Sequence, residues 1–170
     1  VLLISINMLS NVLFSGVRVD LSEGKLYTLS EGSRNIVEEL EEPITLRFFF
    51  SEKETNNIPR LSSYGRRVKE LLQEYDAAAG NKVKVEIIDP RPFTEEEDEA
   101  VSAGMQGVPL NRSTNVYLGL QGVNSTDGRE TIPFFSPERE QFLEYDITSL
   151  IYNLSNPEKP KVTVVSSLPI

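Results

Sequence analysis

The chain has 170 residues, 26 of them acidic against 17 basic, for a net charge of −9, with 39% hydrophobic residues and neither cysteine nor histidine. That size and apolar content support one domain with its own core, while the acidic balance disfavours nucleic acid and anionic headgroups, which bind by releasing counterions to a basic surface. Without Cys or His the chain has no thiolate nucleophile, no disulfide, no Cys–His or Ser–His–Asp catalysis and no Cys- or His-based metal site.

Residues 1–17 carry no charge. The run falls a little short of the roughly 20 apolar residues a membrane span needs, as a span clipped at its N-terminus would. We therefore expect residues 1–17 to be the C-terminal part of a transmembrane helix. Asn7 and Asn11 lie one helical turn apart and share a face, the kind that packs on another membrane helix. Arg18 and Asp20 mark the exit to water, and residues 18–29 read as a juxtamembrane connector.

Ser30 is placed to cap a helix from Glu31 to about Leu40, with Ile36, Val37 and Leu40 on one face. Glu41, Glu42 and Pro43 end it. Ile44 to Phe50 is a strand, and its three consecutive Phe predict burial on both faces, as in a central strand. Ser51 to Pro59 reads as a polar loop. From Arg60 to Ala79 the apolar residues Leu61, Tyr64, Val68, Leu71, Leu72 and Tyr75 recur at threes and fours, an amphipathic helix stopped by Gly80.

Val83 to Ile88 alternates with Lys and Glu, a strand with one solvated face, and Asp89-Pro90-Arg91-Pro92 breaks it. Thr94 with Glu97 has the spacing of a capping box, and Glu95, Glu96, Glu97 and Asp98 suit the positive end of a helix running to about Ala103. Four successive carboxylates on one turn point several ways, so they read as a helix start rather than a metal site. Gly104, Gly107 and Pro109 bracket the crossing into a strand from Asn115 to Val123. That strand and Glu130 to Phe135 form a hairpin across Asn124–Gly128.

Ser136-Pro137-Glu138 starts a last helix, which carries Phe142, Leu143, Ile147, Leu150, Ile151 and Leu154 on its buried side and ends at Asn156-Pro157. Residues 157–170 read as a linker and the first strand, Pro160 to Ser166, of a following domain. The first residue is not Met and the chain stops within a strand pattern, so we expect a piece of a longer protein.

Strand, helix, strand, helix, Gly-Val-Pro, strand is the order of a thioredoxin-like domain. The expected fold is therefore α/β over residues 30–156, with a central mixed sheet flanked by helices. In that fold a cis proline opens the strand after the second helix. The Val108–Pro109 bond is thus expected to be cis, although only about 5–6% of X–Pro bonds are. Redox members carry paired cysteines where Ser51, Glu52, Lys53, Glu54 and Thr55 stand here, so a scaffold without redox chemistry remains. Its expected interaction groove is formed by Ser51, Glu52, Lys53, Val108 and Pro109.

The chain has neither a Walker motif nor a Gly-x-Gly-x-x-Gly loop, so it is not expected to hydrolyse ATP. Arg66 and Arg67 are candidate anion ligands, though a solvated helix face accounts for them as well. A competing reading is a solute-binding module for a sugar or peptide; Tyr64, Tyr117 and Phe135 would then line a pocket rather than the core.

Several separated motifs resemble one family. They are Val19-Asp-Leu-Ser-Glu-Gly-Lys-Leu-Tyr-Thr-Leu-Ser-Glu-Gly-Ser-Arg, Ile87-Ile-Asp-Pro, Gln106-Gly-Val-Pro-Leu, Gly122-Val-Asn-Ser-Thr-Asp-Gly, Phe142-Leu-Glu-Tyr-Asp-Ile-Thr and Lys159-Pro-Lys-Val. In this order they are similar to the auxiliary component of gliding-motility type ABC transport systems, the GldG-like family. The resemblance covers nearly the whole chain. It implies an N-terminal helix in a bacterial inner membrane, an extracytoplasmic α/β region, and work beside an ABC permease and its ATPase. It supplies no catalytic residue, cofactor or metal to carry over, and it does not say what is transported.

Overall fold

The computed structural model describes residues 28–157. The expected membrane helix with Asn7 and Asn11, the connector as far as residue 27 and the strand from Pro160 lie outside the described residues. Among the described residues no helix is long and apolar enough to cross a membrane.

The Ser30 hydroxyl accepts from the Ser33 N–H at 3.3 Å and starts helix α1, Glu31–Glu38. Strand β1, Ile44–Phe50, runs straight into a one-turn helix α2, Glu52–Thr55, and then into the long helix α3, Pro59–Ala78. Pro59 sits in the first turn of α3, where a missing N–H costs nothing. Gly80, at φ +55°, ends it. Strand β2, Val83–Ile88, leads to α4, Glu95–Ser102. The short strands β3, Val108–Pro109, and β4, Asn115–Val116, precede β5, Leu118–Asn124, and β6, Arg129–Ile132. A 3₁₀ segment, Pro137–Phe142, feeds the last helix α5, Leu143–Ser155.

The main sheet is mixed, in the order β2-β1-β5-β6. β1 pairs parallel with β2 and antiparallel with β5, and β5 pairs antiparallel with β6. Because side chains alternate along a strand, β1 serves two cores. Ile44, Leu46, Phe48 and Phe50 pack with residues of α1, α3 and α5 on one face. Phe49 points the other way, to Ala100 and Ala103 of the α4 region, Met105 and Tyr117. The result is three layers, with α4 alone on its face among the described residues. All three Phe are buried, each contributing roughly 1.5–3 kcal/mol.

Two glycines set the layer spacing. A Cβ on Gly65 of α3 would lie 2.4 Å from the Phe50 ring, and one on Gly122 of β5 would lie 2.4 Å from Leu154 of α5. Across the α3–α5 contact, the Tyr75 hydroxyl shares a hydrogen bond with Thr148 at 2.5 Å and donates to the Glu144 carbonyl at 3.1 Å.

The structure corrects several local expectations. The Val108–Pro109 bond is trans, like every other peptide bond among the described residues. Trans is favoured by about 0.5–1 kcal/mol for X–Pro, and Pro109 meets no demand for cis because it does not open a strand of the main sheet. It lies instead in a separate two-stranded ladder, paired with Asn115. The expected strand Asn115–Val123 is accordingly split, with Tyr117 between its parts. The Ser51–Pro59 segment is mostly helical rather than a loop, and Ser51 and Thr55 are buried. Thr94 does not close a capping box: its hydroxyl donates to the Arg91 carbonyl, and the Glu97 carboxylate accepts from Phe93 N–H, one residue early. Phe142 is 46% exposed under the Arg139 guanidinium rather than in the core.

Candidate functional site

Parallel pairing brings the carboxyl ends of β1 and β2 to one end of the sheet, and antiparallel β5 begins there. Such a crevice beyond parallel strand ends is where open α/β sheets bind ligands. In this chain the turn into α2, the Asp89–Thr94 loop, the start of α4 and Tyr117 meet at that end.

Ser51 ties three of these segments together. Its N–H donates to the Tyr117 carbonyl at 3.0 Å, its hydroxyl accepts from Tyr117 N–H at 3.1 Å, and the same hydroxyl donates to the Pro90 carbonyl at 2.9 Å. Glu52 N–H donates to Asp89 Oδ1 at 3.1 Å, and Lys69 Nζ lies 3.4 Å from the Glu52 carboxylate. Asp89 also faces Arg91 at 3.7 Å. The loop after β2 is therefore held at both ends.

A second chain of contacts crosses to α4. The Tyr117 hydroxyl donates to Glu97 Oε1 at 3.3 Å, and Phe93 N–H donates to Glu97 Oε2 at 2.8 Å. Burial, and after it the nearby Glu97 charge, pushes the Tyr117 phenol above its ordinary pKa and keeps it a donor. Gly107 lets the β3–β4 ladder lie over this ring: a Cβ there would meet Tyr117 at 3.1 Å. The outcome is a fixed loop that displays Phe93, 89% exposed and at φ +65°. A bulky side chain in that left-handed region is a conformational outlier.

The five expected groove residues stand on two elements. Ser51 is fully buried with its hydroxyl engaged, Glu52 is half-buried and paired, and Lys53 is exposed on α2. Val108 and Pro109 stand on the separate ladder, half-buried and exposed. The residue that meets Ser51 at the head of β5 is Tyr117, not Pro109. Tyr64, Tyr117 and Phe135 are all buried. What this end of the sheet displays is Phe93, with its N–H bonded to Glu97 and Glu97 bonded to Tyr117. The one sequence signal for them was the Pro-rich loop before a dense acidic helix start.

On the opposite face, a cleft of about 490 Å³ opens beside the start of α3. Arg60, Arg66, Arg67, Glu70, Glu140 and Tyr64 are among its walls. Arg60 faces Glu138 at 3.2 Å and Arg67 closely pairs with Glu140. Arg66 donates to the hydroxyls of Ser62 at 2.8 Å and Ser63 at 3.4 Å, and has no carboxylate partner among the described residues. Burial, and secondarily Glu140, pushes the Tyr64 phenol up to about 12. Among the described residues no acidic group is gathered to hold a metal ion.

A family model described as a domain of unknown function (DUF7088) matches residues 23–122, which runs from before α1 through most of β5. No curated protein and no solved structure matches the chain.

Proposed function

The chain belongs to the DUF7088 family, and from that premise we propose that it is a thioredoxin-like interaction module, carried as a membrane-anchored accessory subunit of an ABC transporter. The order β2-β1-β5-β6, with parallel and antiparallel pairs as described, supports the thioredoxin-like reading. One observation carries the non-catalytic part. At the position after β1 where redox members of that fold hold a reactive cysteine stands Ser51, fully buried, with its hydroxyl spent on Tyr117 and Pro90. A side chain so committed is a fastening for the loops around it. Binding then falls to the surface those loops present.

The transporter assignment rests on the GldG-like resemblance and on the uncharged run at residues 1–17. In this reading the run lies in the inner membrane against the permease, and the α/β domain faces the extracytoplasmic side. The test is co-purification of the full-length protein in gentle detergent, with and without residues 1–17. Recovery of an ABC permease and ATPase only when the run is present supports the reading. A soluble protein that brings down no transporter subunit overturns it.

A further inference from the structure

We propose that a second cleft, at the C-terminal end of α5, is the seat of the chain's own continuation, Glu158–Val162, which docks there through Lys159 and Lys161. This cleft measures about 510 Å³ and lies where the ends of α1 and α5 meet the start of β1 and the β5–β6 turn. Ile36, Leu40, Ile44 and Leu154 give it an apolar floor, and exposed Tyr152 lines it as well. Its charged walls are Glu39, Glu41 and Glu42, all exposed. Among the described residues no basic side chain lines it.

The charge at this cleft is unbalanced within the described residues. Both α1 and α5 end here, and neither carries a basic residue in its last turn, although the C-terminal end of a helix favours a cation. Glu42 accepts from the Ser125 hydroxyl. Lys82 donates to the Leu40 carbonyl and forms no ion pair with any of the three carboxylates.

The following segment has the matching chemistry and leaves from the cleft itself. Pro157, the last described residue, is one of the walls. The end of α5 is fixed there: Asn156 N–H donates to the Tyr152 carbonyl at 3.0 Å, and the Asn124 amide donates to the Leu154 carbonyl at 2.9 Å. Lys159 comes two residues later, at most about 7 Å further along the chain, and Lys161 two beyond that. A lysine lays its methylene stem on apolar surface and keeps its ammonium in water, which an apolar floor with a carboxylate rim accommodates. With two lysines against Glu158, the segment carries a net charge of +1 opposite three carboxylates.

Tethering keeps this segment at high effective concentration, so contacts that are individually weak suffice. The residues before α1 do not compete for the cleft. Ser30 N–H is bonded to Glu144 in the first turn of α5, and the 13 residues of that helix place the cleft about 20 Å away. Docking sets the direction in which the chain leaves the domain. This inference stands apart from the transporter reading, since neither membrane nor partner subunit enters it.

The experiment is limited trypsin digestion of the full chain in detergent micelles, wild type against the triple variant Glu39→Gln, Glu41→Gln, Glu42→Gln. Trypsin cuts after Lys161, whereas Pro160 blocks the bond after Lys159, and exposed Arg112 serves as the internal reference. Relative to Arg112, cleavage after Lys161 is expected to be about fivefold faster in the variant, the effect of one or two exposed ion pairs. In wild type it is expected to quicken as salt rises from about 0.1 to about 1 M, where the screening length falls from about 10 to about 3 Å. Thermal melts check that the variant is folded. Carbodiimide coupling of an equal mixture of ¹⁵N-labelled and unlabelled wild type supplies a test that needs no variant. It is expected to join Lys159 or Lys161 to Glu39, Glu41 or Glu42 within one chain. Equal cleavage in the two folded proteins overturns the proposal. So does coupling of these carboxylates only to another copy or to another protein, or no coupling at all.

Discussion

Ser51 and Tyr117 bind each other in both directions: the Ser51 N–H donates to the Tyr117 carbonyl at 3.0 Å, and the Tyr117 N–H donates to the Ser51 hydroxyl at 3.1 Å. The hydroxyl then donates onward to the Pro90 carbonyl at 2.9 Å. One small side chain thus joins the ends of β1, β2 and β5 where no water reaches.

Ser51→Ala removes the hydroxyl and leaves a buried N–H on Tyr117 and a buried carbonyl on Pro90 unpaired. Each such group costs roughly 1–3 kcal/mol, so we expect a loss of about 2–4 kcal/mol. Urea unfolding reads it as a lower midpoint at an unchanged slope. A loss well under 1 kcal/mol would show that the three loops do not depend on this link.

Gly65 faces the Phe50 ring at a distance that leaves no room for a methyl group. Alanine in a helix interior gains up to about 1 kcal/mol over glycine, whereas overpacking a core costs roughly 1–3 kcal/mol. Phe50 is itself enclosed at 1% exposure, so the ring cannot swing aside and the clash wins. Gly65→Ala is expected to destabilise by about 1–2 kcal/mol. Added to a Phe50→Leu background, which makes space, the same substitution should be close to neutral or stabilising. Equal losses in both backgrounds would refute the steric account.

The tyrosines set the alkaline limit. Burial, before any other influence, pushes both Tyr64 and Tyr75 up to about 12 from their ordinary 10. A folded pKa above the unfolded one gives stability that is complete below pH 10 and is lost as pH rises toward about 12. Tyrosinate absorbance should show these two phenols ionising last, together with unfolding. Tyr75→Phe should flatten the loss on the alkaline side and cost about 1 kcal/mol near neutrality through the broken bonds to Thr148 and Glu144. Ionisation of Tyr75 near pH 10 in the folded protein would contradict its enclosure.

Glu144 sets part of the acid limit. Burial alone would raise its carboxyl, but hydrogen bonds from Ser33 and Ser30 outweigh that and hold it below its ordinary 4.5. Its carboxylate accepts the Ser30 N–H at 2.8 Å and so ties α5 to the start of α1. A depressed pKa gives stability present above pH 4.5 that is lost as pH falls through the lower folded value. Glu144→Gln should therefore lose stability near pH 7 and show a shallower decline below pH 4.5. Parallel pH profiles for the two proteins would count against the carboxylate at this joint.

Much of this architecture is written in local pattern. The threes-and-fours spacing located α3 and α5 because a helix shows one face to the core with a fixed period, whereas Ser136-Pro137-Glu138 opens a 3₁₀ segment and α5 starts only at Leu143. The Phe48-Phe49-Phe50 run announced a strand buried on both sides because successive side chains point oppositely. Ser30 and Gly80 act where they stand, through their own backbone neighbourhood. Glu95, Glu96 and Asp98 at the start of α4 needed nothing distant to explain them.

Contacts between remote segments decided the rest. Pro109 is followed by enough chain to form its own ladder with Asn115, which moved the head of β5 to Tyr117 and left the proline bond trans. Ser51 reads as a polar loop residue until β2 and β5 close around it. Nothing near Gly65 in sequence shows that Phe50 fills its missing side chain. Phe93 has the composition of an ordinary core residue; its outward, left-handed pose follows from Glu97 and Tyr117 fixing the loop from the far side. By itself the sequence located the long helices and the strands of the main sheet, because periodic patterns of that length are set by neighbours a few residues away. The tertiary structure alone decided which buried groups pair and which aromatic faces outward, because those outcomes depend on surfaces that meet only after the chain has folded.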